Sequence, residues 1–301
     1  MEMAAQLFVI TSLVVTWISG IALSSFIVII YIIEWKKKEQ FNVCDRIFVF
    51  MALNNLLRQS SILLSGLSFI FWFHLMVTNR GYIMVCTVTF LYLIYDSIWH
   101  SAWLSMYYCV KLVNSSHRVI VMVKHRLSSS VTLLLITTSV ASFLINLPWT
   151  MLVSVPHNNS SSSRGNFIQL NLYFTYINVL FGCCLPFLVT FICIGVSVGA
   201  LVRHMWRMRH SASQFSSSPQ LQGHVRATRT MILQVLLNFV LYVSVVGMLF
   251  ASLDDIWSVV IWLLIMSSPS IQMIALIMGY PKLQKKVQIW RHLVSGGLDQ
   301  R

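Results

Sequence analysis

The sequence predicts an all-α protein, a bundle of seven transmembrane helices with its N-terminus outside and its C-terminus inside the cell. Three observations lead there. First, the 301 residues are 57% hydrophobic and only 10% charged, whereas soluble domains carry about 25% charged residues. Second, seven apolar runs reach the roughly 20 residues needed to cross about 30 Å of hydrocarbon. Third, the basic residues alternate along the chain. Of 21 Lys and Arg, 18 fall in segments 34–46, 111–128, 203–229 and 280–301. The connections between them hold only Arg80 and Arg164, and Arg58 alone lies within a span. Basic segments stay cytoplasmic, so this alternation requires an odd number of crossings.

The expected helices run 7–33, 47–73, 83–113, 129–153, 170–202, 230–253 and 258–278, and one membrane domain, 1–301, accounts for the chain. The first has no basic residue ahead of it and is followed by Lys36, Lys37 and Lys38. It therefore reads as an uncleaved span rather than a signal peptide. Pro148 lies near the outer end of the fourth helix, and Pro186 lies inside the fifth. The seventh is expected to break at Pro269 and to end at Tyr280-Pro281. Beyond it, Lys282, Lys285, Lys286, Trp290 and Arg291 suit a short amphipathic helix on the inner leaflet.

Composition also limits function. The net charge of +13 sits at helix ends, where it meets anionic lipid or an acidic protein surface, so it points to a lipid bilayer and not to nucleic acid. Motifs for phosphate loops, zinc hydrolases or serine nucleophiles are absent, which argues against an enzyme. No cofactor or metal is expected. Six cysteines lack metal-site spacing and read as small buried thiols, with Cys183-Cys184 a candidate partner for Cys86. Asn158 and Asn159 head overlapping N-x-S acceptors in an outer loop and are expected to be glycosylated.

Arg58 and Asp96 are the charged side chains deep in spans. Each costs about 2.5–3.5 kcal/mol on insertion scales, so each must face the bundle and be paired. Their depths overlap, which permits a cross-helix pair. The rival is local, because Asp96 and His100 are four apart on one helix face.

The run from Trp99 to Asn114, with Leu104-Ser105, Tyr107-Tyr108 and Lys111, resembles the third-helix signature of the type 2 (bitter) taste receptors. Pro186-Phe187, Arg203-His204, Met208, His224 with Ala227, Arg229-Thr230, Pro269-Ser270 and Lys282-Leu283 stand at that family's spacing. The resemblance covers nearly the whole chain. The chain departs from the pattern at Ser24, Asn55, Asn238, Gln272 and Tyr280, and Arg58 stands one turn beyond the family's helix-2 arginine slot, which Asn55 holds. It is therefore identified as a divergent member.

The resemblance implies a plasma-membrane G-protein-coupled receptor whose partners are a small-molecule agonist and a heterotrimeric G protein. Expected ligand contacts are Phe90, Ile94, Asn178, Tyr242, Trp262 and Met266, and expected coupling residues are Tyr107, Tyr108, Lys111, Arg203, Arg226 and Arg229. The family's aromatic slot is kept at Phe90, while its amide slot is Ile94, which implies a more apolar ligand. Two alternatives stay open, a vomeronasal type 1-like chemoreceptor and a small-molecule transporter. The transporter is disfavoured by the lack of internal repeats.

Overall fold

The computed structural model describes residues 2–38, 40–71, 79–112, 118–148, 172–210, 219–250 and 256–298. The sequon pair Asn158-Asn159 lies outside them. The described residues form α1 (Glu2–Lys36), α2 (Val43–Phe71), α3 (Arg80–Leu112), α4 (Arg118–Asn146), α5, α6 (Pro219–Phe250), α7 (Ile256–Gly279) and α8 (Pro281–Leu298). Helix α5 is composite: Leu172–Val179, a π-helical turn Leu180–Cys184, and Leu185–His210.

Six of these helices contain stretches long and apolar enough to cross a membrane, and the apolar part of α4 is shorter, Ser130–Asn146. Six interfaces close a ring: α1 on α2, α2 on α3, α3 on α5, α5 on α6, α6 on α7 and α7 on α1. Helix α3 also packs on α4 and α6 and is the central post. The surface is inverted relative to a soluble protein. Leu64, Leu133, Val85 and Phe191 face outward, while Arg58, Asp96, His100 and Gln272 are buried. Lipid costs nothing against apolar side chains but penalises polar ones, so the polar groups turn in. The chain is a multi-pass membrane protein built as a seven-helix bundle.

Several helices overrun their expected limits on the basic side. Helix α4 begins at Arg118 rather than 129, and α6 begins at Pro219 rather than 230. Counting apolar residues measures the hydrocarbon, whereas a helix continues for as long as its own carbonyls satisfy its amides. Pro219 takes the first helical position, where a missing N–H is harmless. Helix α2 starts at Val43 because the Asp45 carboxylate accepts the Asn42 backbone N–H at 3.1 Å, half of a capping box. Helix α4 ends at Asn146 rather than 153, since the residue ahead of Pro148 is driven out of the helical region.

The expected break at Pro269 does not occur. Helix α7 runs unbroken through it. Proline cannot donate to the carbonyl four residues back, but the Ser268 hydroxyl donates to that carbonyl, Ile265 O, at 2.9 Å. Pro186 is accommodated differently. The turn ahead of it is π-helical, with the Leu185 N–H bonded to Leu180 O. The wider turn relieves the clash that a proline ring makes with the preceding turn.

Candidate functional site

The π turn brings Gly182 against α3. A Cβ at this position would lie 2.5 Å from the Tyr95 ring, so only glycine lets α5 approach so closely. Around that contact Ile94, Tyr95, Ile98, Cys183, Leu241, Ile265 and Met266 are buried together, with Phe90, Tyr242 and Ile261 packed on the margin. Phe90 and Trp262 face one another across α3 and α7, ring centroids 6.5 Å apart. Five of the six expected ligand residues, Phe90, Ile94, Tyr242, Trp262 and Met266, therefore gather around one apolar cluster in the outer half of the bundle. Asn178 stands apart. It is buried between α4 and α5, and its amide donates to Ile145 O at 3.3 Å and Asn146 Oδ1 at 3.4 Å.

Below this cluster a polar junction ties three helices. Ser97 donates to Gln272 Oε1 at 3.1 Å, and Gln272 Nε2 donates to Ser101 Oγ at 3.2 Å and Gln234 Oε1 at 3.5 Å. Gln272 thus links α7 to α3 and to α6. It lies six residues beyond Met266, about 9 Å further along α7.

The cross-helix Arg58–Asp96 pair, one of the two alternatives, is not formed. Arg58 Nη2 donates to Asn55 Oδ1 at 3.1 Å, and its Nε and Nη1 have no hydrogen-bond partner. Asp96 turns to α4 and accepts from Ser139 at 2.6 Å, with His100 Nδ1 at 3.5 Å. The local alternative is the one adopted. Equal depth in the bilayer does not decide which way each helix is rotated, and here the two side chains are served by different neighbours. The six cysteines are free, so Cys86 has not paired with Cys183 or Cys184.

At the inner end a cluster of opposite charges joins α1, α2 and α8. Lys282 Nζ lies 2.8 Å from Glu34 Oε2 and 3.1 Å from Asp45 Oδ2. Lys286 Nζ also pairs with Glu34. Asp45 Oδ1 accepts from Tyr31 at 2.9 Å and Tyr280 at 3.2 Å. Burial first, and then the Asp45 charge, raise the Tyr280 phenol well above its usual range, so it stays a donor. Burial lowers the Lys286 ammonium below its usual value. Two of the basic residues expected to anchor on lipid are therefore turned inward. The expected coupling residues divide. Lys111, Arg203, Arg226 and Arg229 are exposed, Tyr107 is half-buried, and Tyr108 is buried in the inner core. Lys111 Nζ sits 5.8 Å above the Tyr107 ring, and Arg226 donates to Gln284 of α8 at 3.3 Å.

A sequence model of the family "Taste receptor protein (TAS2R)" matches residues 1–293. The chain belongs to the type 2 taste receptor family. Mouse taste receptor type 2 member 39 is 28% identical over 289 residues, covering 92% of this chain and 88% of the relative. Human member 39 is 23% identical over 303 residues, covering 95% and 87%. Chicken member 40 is 25% identical over 268 residues, covering 85% of each.

As a taste receptor, the chain falls in a receptor class rather than an enzyme class, and its place is the plasma membrane. The departures from the family pattern now have locations. Gln272 is the hub of the α3–α6–α7 junction, and Tyr280 is a donor to Asp45. Glu34, Asp45, Gly182 and Gln234 escaped the sequence reading. Glu34 and Asp45 were hidden among the basic residues of segment 34–46. No local signal marks Gly182, because its requirement comes from the Tyr95 ring of α3, distant in sequence.

Proposed function

We propose that this taste receptor binds small, largely apolar bitter molecules in the outer half of the bundle and signals through a heterotrimeric G protein. One observation supports the reading most strongly. Phe90, Ile94, Tyr242, Trp262 and Met266 converge on a single cluster that stands directly over the Gln272 junction. A ligand contacting Phe90 and Trp262 bears on α3 and α7 at once. Because Gln272 bonds both α3 and α6, displacing α7 weakens a constraint on α6. A ligand shifts the equilibrium only by its difference in affinity for the two arrangements. The exposed cations Lys111, Arg203, Arg226 and Arg229 at the inner ends of α3, α5 and α6 form the surface for the G protein. Ile94, in place of a polar side chain, favours ligands with few hydrogen-bonding groups.

The test is calcium release in cells expressing the chain with a promiscuous G protein, challenged with a panel of bitter compounds. A concentration-dependent response that is lost in Phe90→Ala and Trp262→Ala cells, at equal surface level, supports the reading. Uptake of a compound without any calcium signal would favour transport instead.

A further inference from the structure

We propose that a second, lipid-facing crevice between α2, α3 and α4 binds lipophilic amines. The crevice has a volume of about 450 Å³, within the range of about 300–1,000 Å³ usual for small-molecule sites. Its floor is polar, formed by Asn54, Asp96, His100 and Ser139. Its rim is apolar, and Leu57, Ile136 and Val140 on that rim are exposed on the bundle's outer surface.

The floor is under-satisfied. Asn54 donates through Nδ2 to Leu93 O at 3.0 Å, while its buried Oδ1 has no partner. Neither ring nitrogen of His100 makes a hydrogen bond, and its Nδ1 stands only 3.5 Å from Asp96 Oδ2, although the side chain is 1% exposed. Asp96 receives one hydroxyl, from Ser139 at 2.6 Å. A carboxylate accepts at both oxygens and can take several hydrogen bonds. An acid at this depth calls for a cation, and Arg58 is engaged with Asn55 instead. A protonated amine supplies the missing charge and donors, and its apolar body lies along the Leu57–Ile136 rim. The site is independent of the outer cluster, because Asp96 and Ile94 are two residues apart and so lie on opposite faces of α3.

The experiment uses the full-length protein in phosphatidylcholine vesicles and a diazirine-bearing N,N-dimethylalkylamine as photolabel. The alcohol of the same chain length is the control. The amine is expected to label peptides around Leu57 and Ile136 at least tenfold more than the alcohol. Asp96→Asn should bring the amine down to the alcohol's level. Val140→Trp, placed on the lipid-exposed rim and needing no change in the polar floor, should reduce labelling by both. Equal labelling by amine and alcohol in the unmodified protein means an ordinary acyl-chain groove and overturns the proposal. So does amine labelling at these peptides that Val140→Trp leaves unchanged. These two readouts decide the matter even where Asp96→Asn fails to fold.

Discussion

Lys282 of α8 sets its ammonium 3.1 Å from the Asp45 carboxylate at the base of α2. The same nitrogen lies 2.8 Å from Glu34 of α1. Both carboxylates are almost fully buried, and Lys282 is 31% exposed. One cation thus holds two buried anions and pins α8 against two helices. Removing one partner of a buried pair typically costs about 3–5 kcal/mol, because the remaining charge is left uncompensated. Lys282→Met is expected to lower surface level and thermal stability in detergent, with Lys282→Arg recovering part of the loss. Unchanged stability of Lys282→Met would mean that Lys286 alone neutralises the site.

Gly182 admits the Tyr95 ring into the α3–α5 contact, and a Cβ there meets ring atoms at 2.5 Å. Overpacking typically costs about 1–3 kcal/mol. Gly182→Val should reduce folding yield and agonist response, and Tyr95→Ala in the same chain should restore yield by clearing the space. Receptor folding yield in detergent is the measurement. Failure of the double variant to recover would place the strain elsewhere.

Gln272 joins α3, α6 and α7 through three side-chain bonds. Polar bonds between membrane helices average about 0.6 kcal/mol, so Gln272→Leu should shift the balance of receptor states a few-fold rather than unfold the protein. The expected outcome is altered basal signalling with a normal surface level. Gln272→Glu retains the acceptor and should lie between the two.

The outer cluster makes a coupled prediction. Phe90→Ala and Trp262→Ala should each weaken agonist potency, and the double variant should lose less than the sum, because contacting residues are not additive. Asn178→Ala, at the α4–α5 contact, should change stability without a selective change in potency. Concentration–response curves with matched surface labelling separate the cases. A potency loss confined to Asn178→Ala would move the ligand to the α4–α5 side.

Arg226 reaches across to Gln284, linking α6 to α8 at an exposed position. Surface pairs contribute little, about 0–1 kcal/mol, so neutralising Arg226 and Arg229 together should spare folding. It should depress the calcium response if these cations meet the G protein. Surface staining beside the calcium signal distinguishes lost coupling from lost anchoring.

Most of the architecture was legible from the chain alone, and the reasons are visible at particular residues. The basic residues of 34–46, 111–128, 203–229 and 280–301 marked the inner ends of the helices. The spacing of Phe90 with Ile94, and of Trp262 with Met266, placed each pair on one helix face, and both faces entered the same cluster. Pro269 misled, because sequence reports the amide a proline lacks and not the hydroxyl of Ser268 that serves the orphaned carbonyl. The partners of Asn178 were hidden for a related reason. A polar side chain in a span must turn inward, but α4 was there to meet it as well as any ligand.

The sequence by itself determined the number of crossings, their order and their orientation, because a bilayer tests each segment locally for length, polarity and flanking charge. Tertiary structure alone decided the partners. Asp96 went to Ser139, 43 residues away, rather than to Arg58. Glu34 went to Lys282, 248 residues away. Helix rotation about its own axis is set by how neighbouring ridges pack, and a one-dimensional pattern of apolar and charged residues carries that information only weakly.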